Sequence, residues 1–237
     1  KFNKILFICS DYPNNGGAAT NTAKMIDFYE KLNKKVFGVF HSKDIDINYD
    51  IDKDNIDVIS NRDLFNYLSN LEFKPDLIIL RNYLTFDIRK LYKCPVYFLI
   101  PGIFGPKLNK NYKELSDQEL KKYINRNIIN TVRQSNKSYC ASAHTRDILL
   151  RLYNFKINIL YFNYIPYYNK FLEKDKNFDK RKYDYGIIVS DFNRKIKNTE
   201  YFINRLKNTR FKVILIGKNS SKYDIYENFT VFDNIGH

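Results

Sequence analysis

At 237 residues, 44% of them hydrophobic and 16% aromatic, the chain is long for one domain and comfortable for two, with the apolar content to bury a core. Its net charge of +14 arises from 40 Lys and Arg against 26 Asp and Glu scattered along the whole length, without an RRM, KH, zinc-finger or helix-turn-helix signature; this argues against a nucleic-acid partner and leaves peripheral contact with an anionic membrane open. No run approaches the roughly 18 apolar residues that span a bilayer, and Cys9, Cys94 and Cys140 are odd in number and form no CxxC, so a reducing, cytoplasmic compartment and no structural metal are expected.

The first strand, Ile5 to Cys9, is the near-continuous apolar run that a parallel sheet covered on both faces requires. It is too short and wrongly flanked for a signal peptide. Ser10 to Gly17 reads as a turn-rich loop. Ala18, Thr22, Met25, Tyr29 and Leu32 then recur at helical spacing, so a helix begins near Gly17 and exposes its first N–H groups beside the strand end. Gly16 and Gly17 allow an anion to approach the backbone there; a tight turn is the plainer reading of the same pair. Strands follow at Lys35 to Phe40 and, more weakly, at Ile56 to Ile59. The acids between them lack the glycine and terminal glutamate of an EF-hand loop. A helix from about Asp63 to Leu71 places Leu64, Phe65, Leu68 and Leu71 on one face. Leu77 to Leu80 and Val96 to Ile100 are further buried strands, the second ending in Pro101-Gly102.

From Leu115 to about Asn136 the pattern predicts one helix, with Leu120, Ile124, Ile128, Ile129 and Val132 inward. Lys121, Lys122, Arg126 and Arg133 form a basic outer face, either solvated or used for interaction. Lys137 to Ala141 reads as a strand, Ala143 to Leu152 as a helix, and Asn158 to Phe162 as the last strand of this half. His144 stands at the helix start, where a cap is the simpler reading and a catalytic base the alternative. The alternation of strands and helices predicts a doubly wound parallel sheet.

Pro166 and a charged run then break the pattern, giving a first domain over residues 1–165, a linker over 166–182 and a second domain over 183–237. The second domain opens with a strand, Gly186 to Val189, followed by a polar turn holding Arg194, Lys195 and Lys197. An amphipathic helix and a strand from Phe211 to Ile216, closed by Gly217, complete a βαβ unit. Its cationic loop falls where α/β sheets bind ligands, and cations there favour phosphates.

Read together, KILFICSDYPNNGGAATNTA, KPDLIIL, CPVYFLIPG and INILYFNYIP in the first half, with YGIIVSDFNRKIKN and FKVILIGKNS in the second, resemble a GT-B glycosyltransferase of the family 4 type. The resemblance implies an α/β fold of two Rossmann-like domains and transfer of a sugar, with retention, from a UDP-, GDP- or ADP-sugar to a glycan, lipid or protein acceptor. It implies no required cofactor or metal. Residue by residue, Gly16 and Gly17 correspond to the glycine-rich loop at the donor phosphates and acceptor. Arg194 and Lys197 correspond to the pair that grips the donor diphosphate, with Lys195 as an alternative. Gly217, Lys218 and Asn219 correspond to the loop facing the nucleotide. Pro101 and Gly102 occupy the place of a His-Gly pair near the transferred sugar; His144, on which the resemblance places no family residue, is a candidate acceptor or sugar contact.

The family's paired-glutamate motif is not found before the chain ends at NFTVFDNIGH. The expectation is therefore a second domain that is incomplete, in a truncated, fragmentary or degenerate relative. An inactive GT-B relative that binds a glycan or protein is the alternative function.

Overall fold

The computed structural model describes residues 2–13, 16–43, 54–104, 115–160, 182–193 and 198–233. They fall into two compact units, Lys1–Phe162 and Asn163–His237.

The first unit contains β1 (Lys4–Ser10), α1 (Gly16–Lys31), β2 (Lys35–Ser42), β3 (Ile56–Ser60), α2 (Leu64–Asn70) and β4 (Leu77–Arg81). β5 (Val96–Ile100), α3 (Asp117–Tyr123), α4 (Arg126–Gln134), β6 (Lys137–Cys140), α5 (Ala143–Tyr153) and β7 (Asn158–Ile159) follow. All seven strands are parallel, in the order β3-β2-β1-β4-β5-β6-β7. Strand alternation splits the apolar side chains between two cores. Leu6, Ile8, Ile78, Leu80 and Phe98 pack beneath α2, α4 and α5 through Leu64, Leu68, Ile129, Val132, Leu149 and Leu152. Ile5, Phe7, Cys9, Leu77 and Ile79 pack beneath α1 through Ala19 and Ile26. This division follows from right-handed crossovers: the chain winds one way from β1 to β3, then returns past β1 and lays its later helices on the other face. At Gly38 of β2 an added Cβ would stand 2.5 Å from Ile26 Cδ1, so α1 approaches the sheet as closely as it does because that strand position lacks a side chain.

The single helix expected between Leu115 and Asn136 is two. Ile124 is extended, at φ −76° and ψ 132°, and bridges Phe104, while the Asn125 N–H donates to Ile103 O at 3.0 Å. Asn125 then caps α4 by accepting from the Asn127 N–H at 2.9 Å. Hydrophobic spacing alone could not show this break, because Leu120, Ile124 and Ile128 keep their four-residue interval and all three are buried on the same core. The strand expected to reach Phe162 is described only as Asn158–Ile159, and the linker expected at 166–182 lies almost wholly outside the described residues.

The second unit contains β8 (Tyr185–Asp191), α6 (Thr199–Leu206), β9 (Val213–Lys218) and β10 (Phe229–Phe232), in the parallel order β10-β9-β8. It repeats the opening of the first unit, where β1, β2 and β3 are laid down in the same direction. Its core holds Phe192, Ile203, Val213, Leu215, Tyr223 and Phe229. On the opposite sheet face, register aligns Ile188, Ile216 and Phe232 in one row, in which Ile188 is 72% and Phe232 43% exposed.

Candidate functional sites at the strand ends

In a doubly wound sheet the ligand crevice opens at the carboxyl ends of the strands where the winding reverses. In the first unit that place lies between β1 and β4. Cys9 and Arg81 are register partners there. Beyond β1, Asp11 takes φ 76° and its N–H donates to His41 O at 2.8 Å, tying the loop to the end of β2. Asp11 Oδ1 accepts from the Tyr12 N–H at 3.0 Å. Beyond β4, Asn82 Nδ2 donates to Ser10 Oγ, and Asn82 Oδ1 accepts from the Tyr83 N–H at 2.8 Å. The two strand ends are thus joined by side chains as well as by the ladder. α1 begins at Gly16, one residue before the start near Gly17 that the helical spacing predicts, so both glycines lie in its first turn rather than in the loop before it. A Cβ built on Gly17 would meet nothing within 4 Å.

Burial pushes two titratable groups at this crevice, Cys9 and His41, toward their uncharged forms. Burial pushes the Cys9 thiol up to about 11, and neither its hydrogen bond with Thr22 nor the nearby Arg81 charge offsets it. A thiol so placed is no nucleophile at neutral pH. Burial likewise lowers His41 below the usual histidine value, partly opposed by Asn61, whose Oδ1 lies 2.6 Å from Nδ1.

Pro101 and Gly102 are exposed at the end of β5, and His144 is exposed after the neighbouring β6. His144 follows the Ser142 cap of α5, whose hydroxyl accepts from the Thr145 N–H at 3.1 Å. It lines a cavity of about 360 Å³ with Leu115, Ser116, Asp117, Leu120, Asp147 and Arg151. The structure therefore brings His144 together with Asp117 and Asp147 and sets Pro101-Gly102 on the adjacent strand end. Gly16 and Gly17 belong to the β1 end, on the far side of β4.

In the second unit Arg194, Lys195 and Lys197 lie outside the described residues. Their flanks do not: β8 closes at Asp191, and Asn198 enters α6 in the left-handed region at φ 50°. Gly217 has φ +141°, and an added Cβ would stand 1.7 Å from Val189 O. A glycine is needed there for the approach of β9 to β8, whatever else the loop does. Lys218 is exposed. Asn219, at φ 63°, donates through Nδ2 to Asp191 Oδ1 at 2.9 Å and through its N–H to Asp233 Oδ1 at 2.8 Å. Asp233 Oδ2 also accepts from Ser221 Oγ at 2.6 Å. One asparagine thereby joins the carboxyl ends of all three strands.

Sequence reading missed Ser10, Arg81, Asn82, Asp191 and Asp233. Each is a polar residue at or just past the end of an apolar run, and that position is the signal that finds them. Among the described residues no group of three or more His, Cys, Asp or Glu side chains is placed to hold a metal ion, and no helix is long and apolar enough to cross a membrane.

No family model matches the sequence, and no curated protein matches it significantly. Solved structures do. An alpha-glucosyltransferase in complex with UDP and a 13-mer DNA containing a central A:G mismatch is 13% identical, with a TM-score of 0.56, over 95% of this chain and 58% of that one. The lipopolysaccharide outer core galactosyltransferase WaaB in its apo form is 12% identical, with a TM-score of 0.50, over 97% and 68%. A putative UDP-N-acetylglucosamine 2-epimerase from Listeria monocytogenes is 9% identical, with a TM-score of 0.53, over 99% and 69%. The chain therefore spans between 58% and 69% of the length of these neighbours. At such identities the likeness shows the fold: Rossmann-like α/β units of GT-B type, with the second unit represented in part.

Proposed function

We propose that this chain acts in glycosyl transfer, its second unit holding a nucleotide-sugar donor and its first unit the acceptor. The observation that carries the reading is the combination of a GT-B fold with a cationic loop, Arg194 to Lys197, whose flanking residues end one parallel strand and begin the next helix. UDP is the proposed nucleotide, because the neighbours of this fold include proteins solved with UDP or named for UDP-sugar chemistry.

In this reading the sugar leaves a diphosphate on which negative charge grows. Arg194 presents a planar fork of donors to it, and Lys197, with Lys195 beside it, a mobile point charge. Preorganised cations of this kind stabilise the departing oxyanion, and removing one typically costs about 2.7–4 kcal/mol of barrier. Gly217, Lys218 and Asn219 form the nucleotide-facing turn. Gly16 and Gly17 offer backbone N–H groups to phosphate, while Pro101, Gly102 and His144 face the acceptor sugar. Transfer with retention, with no metal required, is proposed on the family resemblance. The exposed Lys121 and Lys122 of α3 and Arg126 and Arg133 of α4 suit peripheral contact with an anionic membrane on the cytoplasmic side.

Calorimetric titration with UDP-, GDP- and ADP-sugars tests the proposal. A UDP-sugar is expected to bind and Arg194→Ala to abolish binding with the fold intact. Unchanged affinity in that variant sinks the donor-site assignment, and binding of glycans without any nucleotide affinity turns the reading to a glycan-binding module.

A further inference from the structure

We propose that the free edge of β3, with the groove between it and α2, receives an extended peptide segment carrying lysine or arginine. β3 ends the first sheet and pairs with β2 alone among the described strands. The Gly38 N–H donates to Asn55 O and the Asn61 N–H to Ser42 O, both at 2.8 Å. In a parallel ladder the odd-numbered residues of β3 therefore bond to β2, and the backbone groups of Ile56 and Val58 point away from the sheet. Such an open row of donors and acceptors is a template for one more strand.

Beside that edge lies a cavity of about 1040 Å³. Its apolar floor is Phe37 of β2, Val58 and Ile59 of β3, Tyr67 of α2, and Leu71 and Phe73 just after that helix. The Phe37 and Phe73 rings stack with centroids 5.7 Å apart, and the Tyr67 hydroxyl donates to Asp57, joining helix to edge strand. The charged lining is all of one sign: Asp54, Asp57, Asp63 and Glu72 border the cavity, and no Lys, Arg or His is among the described residues that line it. On a chain of net charge +14 this is a local reversal. Asp54 precedes β3 and Asp63 follows it, so carboxylates stand at both ends of the edge with apolar side chains between them. The floor and the free edge fit an extended chain, and the acids select its sign. A second copy of this chain would set two charges of +14 together, which favours a separate basic segment as the occupant. Every second residue of that segment faces the groove, so the pattern that fits is an apolar residue flanked at two positions on either side by lysine or arginine.

The inference does not rest on the sugar transfer proposed above. The test titrates the full ¹⁵N-labelled chain with the peptide acetyl-Lys-Thr-Leu-Thr-Lys-Thr-amide, and with the same peptide bearing glutamate in place of each lysine. Saturable shifts and slowed hydrogen exchange at the Ile56 and Val58 amides are expected with the lysine peptide and not with the glutamate one. Methylating the main-chain nitrogens of the lysine peptide is expected to abolish the response, because strand addition uses its N–H groups. Asp54 and Glu72 are exposed, so the double variant Asp54→Lys, Glu72→Lys should keep the fold and bind the lysine peptide about tenfold more weakly. Absence of saturable shifts with the lysine peptide overturns the proposal, as does an equal response to the glutamate or the methylated peptide. Shifts of the same two amides with protein concentration alone, together with a dimer in sedimentation, assign the edge to a second copy and overturn it as well. The three peptides on the unaltered chain keep the test decisive if the variant fails to fold.

Discussion

Asn219 donates from Nδ2 to the carboxylate of Asp191 at 2.9 Å, binding the turn after β9 to the end of β8. Asp191 Oδ1 also accepts from the Asn193 N–H at 2.8 Å, so one carboxylate ties the residues just after β8 to the turn after β9. Replacing it with alanine strands two donors. Asp191→Ala is expected to lower stability by about 1–3 kcal/mol and to weaken UDP-sugar binding with it. Urea unfolding beside calorimetry checks both, and weakened binding with unchanged stability would assign Asp191 to the ligand instead.

Gly217 gives a sharper prediction. A methyl group there meets the Val189 carbonyl at 1.7 Å, on a backbone at φ +141° that side chains rarely adopt. Overpacking and backbone strain act together, so Gly217→Ala is expected to cost more than about 3 kcal/mol. The loss should appear in chemical denaturation even when no nucleotide is present, which separates it from a purely ligand-contacting role.

Alkali should loosen the first unit through Tyr92. Its hydroxyl donates to Leu68 O at 2.8 Å, and burial pushes its pKa up to about 12. A raised acid stabilises the fold below the unfolded tyrosine value, near 10, and that contribution is lost as pH rises from there through the folded value. Unfolding monitored across about pH 10–12 is expected to steepen in the unaltered protein and to lose part of that slope in Tyr92→Phe. Identical slopes would refute the assignment.

Cys9 should resist alkylation. With its thiol raised to about 11 by burial, the thiolate fraction at pH 8 is small, and reaction with iodoacetamide is expected to be roughly 100-fold or more slower than in denaturant. Mass spectrometry of the peptide carrying Cys9 measures this directly. Rapid modification of the native protein would mean that the strand end opens.

Strand positions were legible because a parallel sheet buries both faces and so writes itself as short apolar runs: β1, β4 and β5 lie within a residue of their expected limits. The start of α1 was legible to within a residue for a related reason, the onset of helical spacing at Ala18. The break at Ile124 was not, because an extended residue that stays buried leaves the hydrophobic interval intact. Nor were the joins between strand ends. Arg81 beside Cys9, or Asn219 between Asp191 and Asp233, depends on register across 72 residues in one case and on three strand ends in the other. Gly217 was read for its loop, whereas its backbone supplies an independent reason for a glycine.

The Ile188, Ile216 and Phe232 row bears on how the protein must be handled. Oily side chains aligned on one exposed face of a three-stranded sheet give molecules a way to stick that a charge of +14 opposes only while counterions are scarce. Concentrated salt removes that repulsion and leaves the row, so the same buffer that quiets non-specific electrostatics is the one in which this protein will cloud first.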